Sequence, residues 1–295
     1  MGRKLVFIHG RTQRGKEPAA LKKEWLQSLD DGLHAHGLTR SIDDADVLFP
    51  WYGEALEALV QWGPSQDAAE AVLHAATESP PERVFMSAVM EQSRKEAGVT
   101  KAELKAIAGN DVFQRGPLDR GWLQGLVRAL DRHVPLANGT GVALATYDAY
   151  QYLYTPAFAR TIDAVVMEAL VPGEETVVVA HSLGALVAYN LFRAHGAARG
   201  WKVPLFVTLG APLAVTAIRD SLGVRAIPSC VEHWFNAKDE RDVVALYPLD
   251  QRNFQVDDGT IENWSEVRNP TENRHGASGY LGDPEVARRI HEALG

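Results

Sequence analysis

A single cysteine, Cys230, stands in the 295 residues. That excludes intrachain disulfides and every metal site built from clustered thiolates, and it suits a reducing compartment. Basic residues are also in the minority: 30 Lys and Arg face 38 Asp and Glu, for a net charge of −8. A binder driven by phosphate contacts needs the opposite balance, so nucleic acid is not an expected partner. No run approaches the roughly 20 apolar residues that span a bilayer, so stable membrane insertion is not expected either. The apolar stretch near Met1 is too short for a secretory signal, and Val6 stands where N-myristoylation needs Ser or Thr. A cytoplasmic location is the expectation. Glycine-rich phosphate loops are missing where strands meet helices. His34-Ala-His36 sits at a helix end with no thiol partner, so no metal is expected.

What the chain does have is alternation. Leu5-Val-Phe-Ile8 is a short apolar run ending in His9-Gly10, the pattern of a buried strand leading into a loop. Pro18 opens a helix where its missing N–H costs nothing, and Leu21, Trp25, Leu29 and Leu33 give that helix one apolar face. Asp46–Pro50 reads as the next strand. Thr176-Val-Val-Val-Ala180 is the plainest strand in the chain, rich in β-branched residues. It lies between helical patterns at 155–170 and 185–194. A strand at 204–209 follows, then two alternating segments at 231–235 and 261–267 expected nearer a sheet edge. A terminal helix at 284–294 closes the chain. Strand–helix alternation of this kind predicts an α/β fold, doubly wound around a mostly parallel sheet.

From 53 to about 140 the alternation stops. Alanine-rich, charge-mixed segments at 54–62, 65–78, 82–97, 100–108 and 118–133 are separated by Gly63-Pro64, Pro80-Pro81, Gly98 and Gly116-Pro117. They predict an inserted helical cap within a single domain spanning 1–295; Arg83–Met90 is the one stretch in it where a strand competes. Phe85, Met86, Val89 and Met90 fit either the cap's own core or an acyl-binding face.

The chemistry concentrates at Ala180-His181-Ser182-Leu183-Gly184, directly after the strongest strand and directly before a helix. A serine on that tight turn projects its hydroxyl above the sheet edge, and small residues are needed two places to either side. Such a serine needs a base oriented by a carboxylate. His275 suits that task, because it lies in the glycine-rich loop between the last strand and the last helix. The acid is expected just after the 231–235 strand, where Asp242 leads into an apolar segment and Asp239 is the competing choice. The backbone N–H groups of Leu183 and Arg11, with Thr12 as second choice to Arg11, are the expected donors to an oxyanion. The Arg11 side chain is expected either in solvent or facing an anionic substrate group. Trp51 and Tyr52, at the end of the second strand, and Tyr152, in the aromatic segment 148–154, are candidates for touching substrate. The 148–154 segment otherwise reads as a packed loop.

These pieces together resemble the α/β-hydrolase superfamily, and within it the bacterial lipase- and esterase-like members with a His-Ser-Leu-Gly elbow. The matching residues are the first strand with His9-Gly10, the Ala-His-Ser-Leu-Gly elbow, Thr208-Leu-Gly-Ala-Pro-Leu213, Asn236 with Asp242-Val243, and His275-Gly276. They cover roughly 1–53 and 148–295; the middle segment carries no such match. Ala180 replaces the usual first glycine of the elbow, and Val243 replaces a commoner proline. The resemblance implies Ser182 as nucleophile, Asp242 as acid and His275 as base, with no cofactor. It implies a serine hydrolase cleaving a carboxylic ester, small or lipid-like, through an acyl-enzyme. Acyl transfer, amide or thioester cleavage by the same triad, and a ligand-binding member without turnover, stay open.

Overall fold

The computed structural model describes residues 2–11, 16–59, 79–117, 119–133 and 139–295. Six strands form one sheet: β1 (Lys4–Ile8), β2 (Val47–Leu48), β3 (Thr176–His181), β4 (Val203–Leu209), β5 (Val231–Asp239) and β6 (Glu262–Val267). They run in the order β2-β1-β3-β4-β5-β6, and every pairing is parallel. The fold is therefore α/β, with the later strands added one after another on the side of β1 opposite β2.

Period-two alternation assigns the two sheet faces. Leu5, Phe7, Val177 and Val179 face a layer made by α1 (Pro18–His34), α11 (Ala277–Leu281) and α12 (Pro284–Leu294). Val6, Ile8, Val178 and Ala180 face the opposite layer of α7 (Gly139–Tyr154), α8 (Pro156–Glu168) and α9 (Leu183–Leu191). Both faces of β3 are fully buried, which explains its unbroken β-branched run. Fully burying one Val side chain is worth roughly 1.5–3 kcal/mol. Chain connections leave β1 toward one layer and β3 toward the other, so the sheet's switch point lies between their carboxyl ends. In open α/β sheets the crevice at that point is where ligands bind.

After β2 the alternation gives way to helices: α2 (Gly53–Ala58), α3 (Pro80–Glu96), α4 (Lys101–Ala108), α5 (Asn110–Arg115) and α6 (Arg120–His133). Arg83–Met90 is helix, not strand. A second apolar cluster forms here, with Met86, Met90, Leu104, Leu123, Leu126 and Leu130 at its centre. Phe85 and Val89, one position round α3, pack instead into the core of the main sheet. All four of the residues considered for an acyl-binding face are thus buried packing groups. The polar side of α3 is bonded to loops at the sheet's carboxyl edge. Ser93 Oγ donates to the Val243 carbonyl at 2.9 Å, and the Tyr247 hydroxyl donates to Glu96 Oε1 at 2.9 Å.

Two expectations need correction. The strand expected at 46–50 shrinks to Val47–Leu48, because it pairs on one side only and a tight turn at Asp44–Asp46 precedes it. The aromatic segment 148–154 is the second half of α7 and not a loop; Asp148, Ala149 and Tyr152 lie on its buried side. The helical segment expected at 65–78, Gly63-Pro64 and Thr12 lie outside the described residues. No described helix is long and apolar enough to cross a membrane, and no group of three or more metal-ligating side chains occurs among the described residues.

Candidate active site

The turn from β3 into α9 carries Ser182 at φ 54° and ψ −122°. Only one other described non-glycine residue has a positive φ, Arg274 at 53°, immediately before His275. Left-handed backbone costs a side-chain-bearing residue of order 1–3 kcal/mol and persists where the surroundings enforce it. Both strained non-glycine positions among the described residues therefore belong to one site.

The surroundings are visible in the glycines. A Cβ on Gly184 would stand 2.3 Å from the Ile8 carbonyl oxygen, and one on Gly10 would stand 2.7 Å from Ser182 Cβ. The loop after β1 and the first turn of α9 touch backbone to backbone. Gly184→Ala is accordingly expected to cost about 1–3 kcal/mol and to move Ser182, read out as a lower unfolding midpoint together with slower labelling of the serine.

His275 completes the geometry. Its Nε2 lies 2.8 Å from Ser182 Oγ and its Nδ1 lies 2.7 Å from Asp242 Oδ2. The loop that carries it is shaped by side-chain caps: Asn273 Oδ1 accepts from the His275 amide at 3.1 Å, and Thr271 Oγ1 accepts from the Gly276 amide at 2.9 Å. His181 Nε2 donates to the His275 carbonyl at 2.6 Å. Burial, and then the neighbouring His275, push His181 down to about 3, so it is neutral, and its Nε2 carries the proton.

The two candidate acids part company. Asp242 is buried, and its Oδ1 accepts from the amides of Val244 and Ala245 at 2.8 and 3.1 Å. Its Oδ2 faces His275 and also accepts from the Tyr280 hydroxyl at 2.6 Å. Burial alone pushes the Asp242 carboxyl up. His275, the Tyr280 hydroxyl and the Val244 amide outweigh that and hold it below the usual carboxylate range. Asp239 instead accepts from the Arg241 and Asn269 amides, both at 2.7 Å, tying the end of β5 to the histidine loop. Its carboxylate does not reach His275.

The Arg11 side chain is not in solvent. The guanidinium is largely buried and grips Asp148 of α7 through Nε at 2.6 Å and through Nη2, and it donates to the Leu56 carbonyl at 3.0 Å. Its backbone follows Gly10 beside the start of α9, where a Cβ on Gly10 would come within 3.3 Å of the Leu183 nitrogen. His9 Nδ1 donates to the Gly10 carbonyl at 2.7 Å, while its Nε2 accepts from the Tyr52 amide at 3.3 Å. Burial lowers His9 to about 4, which keeps that neutral tautomer.

Of the three aromatic candidates, Tyr52 and Tyr152 are packing residues. The Tyr52 ring stacks on His9 at 4.0 Å and its hydroxyl is bonded to the His9 carbonyl. Tyr152 donates to Asp163 Oδ1 at 2.8 Å inside the core. Trp51 is half-buried, 4.8 Å from His9 ring to ring. A cleft of about 610 Å³ opens beside the site instead between His9, Arg11 and Trp25 on one wall and Asn273, His275 and Ser278 on the other.

Sequence reasoning missed two contributors. Gly210, at φ 55°, leaves a gap where a Cβ would stand 3.0 to 3.2 Å from Tyr280, His275 and Asp242. It lies in the Thr208–Leu213 segment, so a glycine ending a buried strand was the available signal. Tyr280 carried none, since nothing in its local pattern marks a phenol aimed at a carboxylate. Comparison of the chain with protein-family models, with curated proteins and with solved structures finds no match in any of the three.

Proposed function

We propose that this protein is a serine hydrolase of the α/β-hydrolase type that cleaves a carboxylic ester through an acyl-enzyme. The observation that carries the reading is the unbroken hydrogen-bond chain from Ser182 Oγ through both ring nitrogens of His275 to Asp242, at 2.8 and 2.7 Å. In this reading Ser182 Oγ attacks the ester carbonyl while His275 Nε2 takes its proton. Asp242 holds the imidazole in the tautomer that leaves Nε2 free, and it stabilises the imidazolium that forms. The Leu183 amide, at the first turn of α9, and the Arg11 amide receive the oxyanion; the unpaired N–H groups and dipole of a helix start favour negative charge there. His275 then returns its proton to the departing alcohol, and water repeats the sequence on the acyl-serine. The helices at 53–133 would form the cap.

The test is covalent capture. A fluorophosphonate probe is expected to form a stable adduct on Ser182, located by peptide mass spectrometry, and to form none on folded Ser182→Ala. A folded wild type that stays unlabelled sinks the proposal.

A further inference from the structure

The inference concerns Tyr280 and rests on the reading of Ser182, His275 and Asp242 as a triad. Tyr280 lies on α11, five residues beyond His275, and is completely buried. Its hydroxyl has one proton and two neighbours. The Asp239 amide donates to it at 3.1 Å, and it lies 2.6 Å from Asp242 Oδ2. An N–H cannot accept, so the phenol proton is committed to the carboxylate. Asp242 Oδ1 is occupied by two amides, which leaves Oδ2 to serve His275 and Tyr280 together.

We propose that Tyr280 is a positioning residue of the triad: it holds Asp242 Oδ2 on His275 Nδ1 and withdraws part of the negative charge that the imidazolium would otherwise feel. A carboxylate oxygen that accepts a second, short hydrogen bond is less basic and stabilises a neighbouring cation less. The phenol therefore trades some stabilisation of charged His275 for a fixed geometry. Burial, and then the Asp242 charge, push the phenol well above its usual range, so it keeps the proton it donates.

Other charges around the pair are accounted for. From β3, His181 stands 4.8 Å from the His275 ring and 6.2 Å from that of Tyr280, and it is neutral. His9 on the β1 side is neutral as well. Asp239 is bonded to backbone amides and lies 3.8 Å from Arg241. Lys16, just before α1, and Glu24 on α1 pair with each other at 2.7 Å and line the cleft. On the histidine loop Glu272 is exposed and Arg274 donates to the Asn269 carbonyl, while Asp131 reaches the cleft from α6. Among the described residues, Tyr280 is the one side chain besides His275 itself that donates a proton to Asp242 Oδ2.

The readout is the pH at which the His275 imidazole resonances titrate, followed by NMR in the full-length protein, which needs no turnover. Tyr280→Phe is expected to raise that midpoint by about one pH unit, and the acidic limb of the kcat/KM profile is expected to move with it. Site-specific 3-fluorotyrosine at position 280, a stronger donor of the same shape, is expected to move the midpoint down, and it carries the test alone if Tyr280→Phe does not fold. A midpoint unchanged in a folded variant overturns the proposal, and the role of Tyr280 is then only packing. A midpoint that moves in a protein that turns over no ester upholds Tyr280 and defeats the hydrolase reading separately.

Discussion

Turnover of a simple ester is expected to fall about 10⁶-fold in Ser182→Ala and about 10⁴-fold in Asp242→Asn. The two losses have different causes. In the proposed mechanism, removing Oγ removes the nucleophile and with it the acyl-enzyme. With an asparagine at 242 the site keeps its shape, but the carboxamide can donate to Nδ1, so the imidazole presents a protonated Nε2 to Ser182 and cannot take its proton. Asp239→Asn is the informative control. Asp239 holds two backbone amides at the foot of the histidine loop, so its replacement is expected to lower the unfolding midpoint and to cost far less in kcat. If Asp239→Asn lost 10⁴-fold and Asp242→Asn kept its rate, the acid would be misassigned. The sign of the pH dependence follows from Asp242 as well. Its carboxyl is held below the usual range, so the stability it contributes is present above about pH 4, the unfolded value, and is lost as pH falls through the lower folded one. Acid unfolding of Asp242→Asn is expected to lack that component.

How far this site can be read from sequence depends on the distance over which its parts are encoded. The elbow is local: a β-branched run, a serine and a glycine within ten residues specify strand, turn and helix at once, and Gly184 has no room for a Cβ beside Ile8. His275 is legible from chain order and from the glycines around it. The choice of Asp242 over Asp239 is only half legible, because Asp239 ends β5 and Asp242 follows three residues later; both bind backbone amides, and only contacts distant in sequence bring an Asp242 oxygen to His275. Helix α7 was misread around 148–154 because aromatic residues have modest helix propensity, and burial of Asp148 and Tyr152 overrides it. Tyr52 and Tyr152 are candidates from the strand end and the aromatic segment; their hydroxyls are taken by the His9 carbonyl and by Asp163. The grip of Arg11 on Asp148 joins residues 137 positions apart. No period or spacing encodes a pair like that.

Arg11→Met is expected to destabilise the fold by about 3–5 kcal/mol, the usual result of removing one partner from a buried ion pair. Asp148 is fully buried and Arg11 nearly so, with side chains 1% and 15% exposed. Burial already pushes the Asp148 carboxyl above its ordinary value, against the pull of Arg11. Without the guanidinium it rises further, and above that value the protein must bury a naked carboxylate or protonate it. A group whose folded pKa is raised contributes stability below its unfolded pKa and loses it as pH rises through the folded one. The deficit of Arg11→Met against wild type is therefore expected to be largest at neutral and alkaline pH and to shrink toward pH 4, measured by denaturant unfolding across that range. Arg11→Met with Asp148→Leu removes both charges and is expected to recover most of the loss, since an apolar pair of similar bulk needs no counter-charge. Activity separates the roles of side chain and backbone. The guanidinium anchors the loop that presents the Arg11 amide, so the double variant is expected to fold well and still show a lower kcat. The drop is smaller than the about 10²–10³-fold cost of deleting an oxyanion donor outright, because the amide itself remains. A double variant with wild-type kcat would mean that the pair holds only the fold, and that Gly10 and His9 suffice to aim the amide.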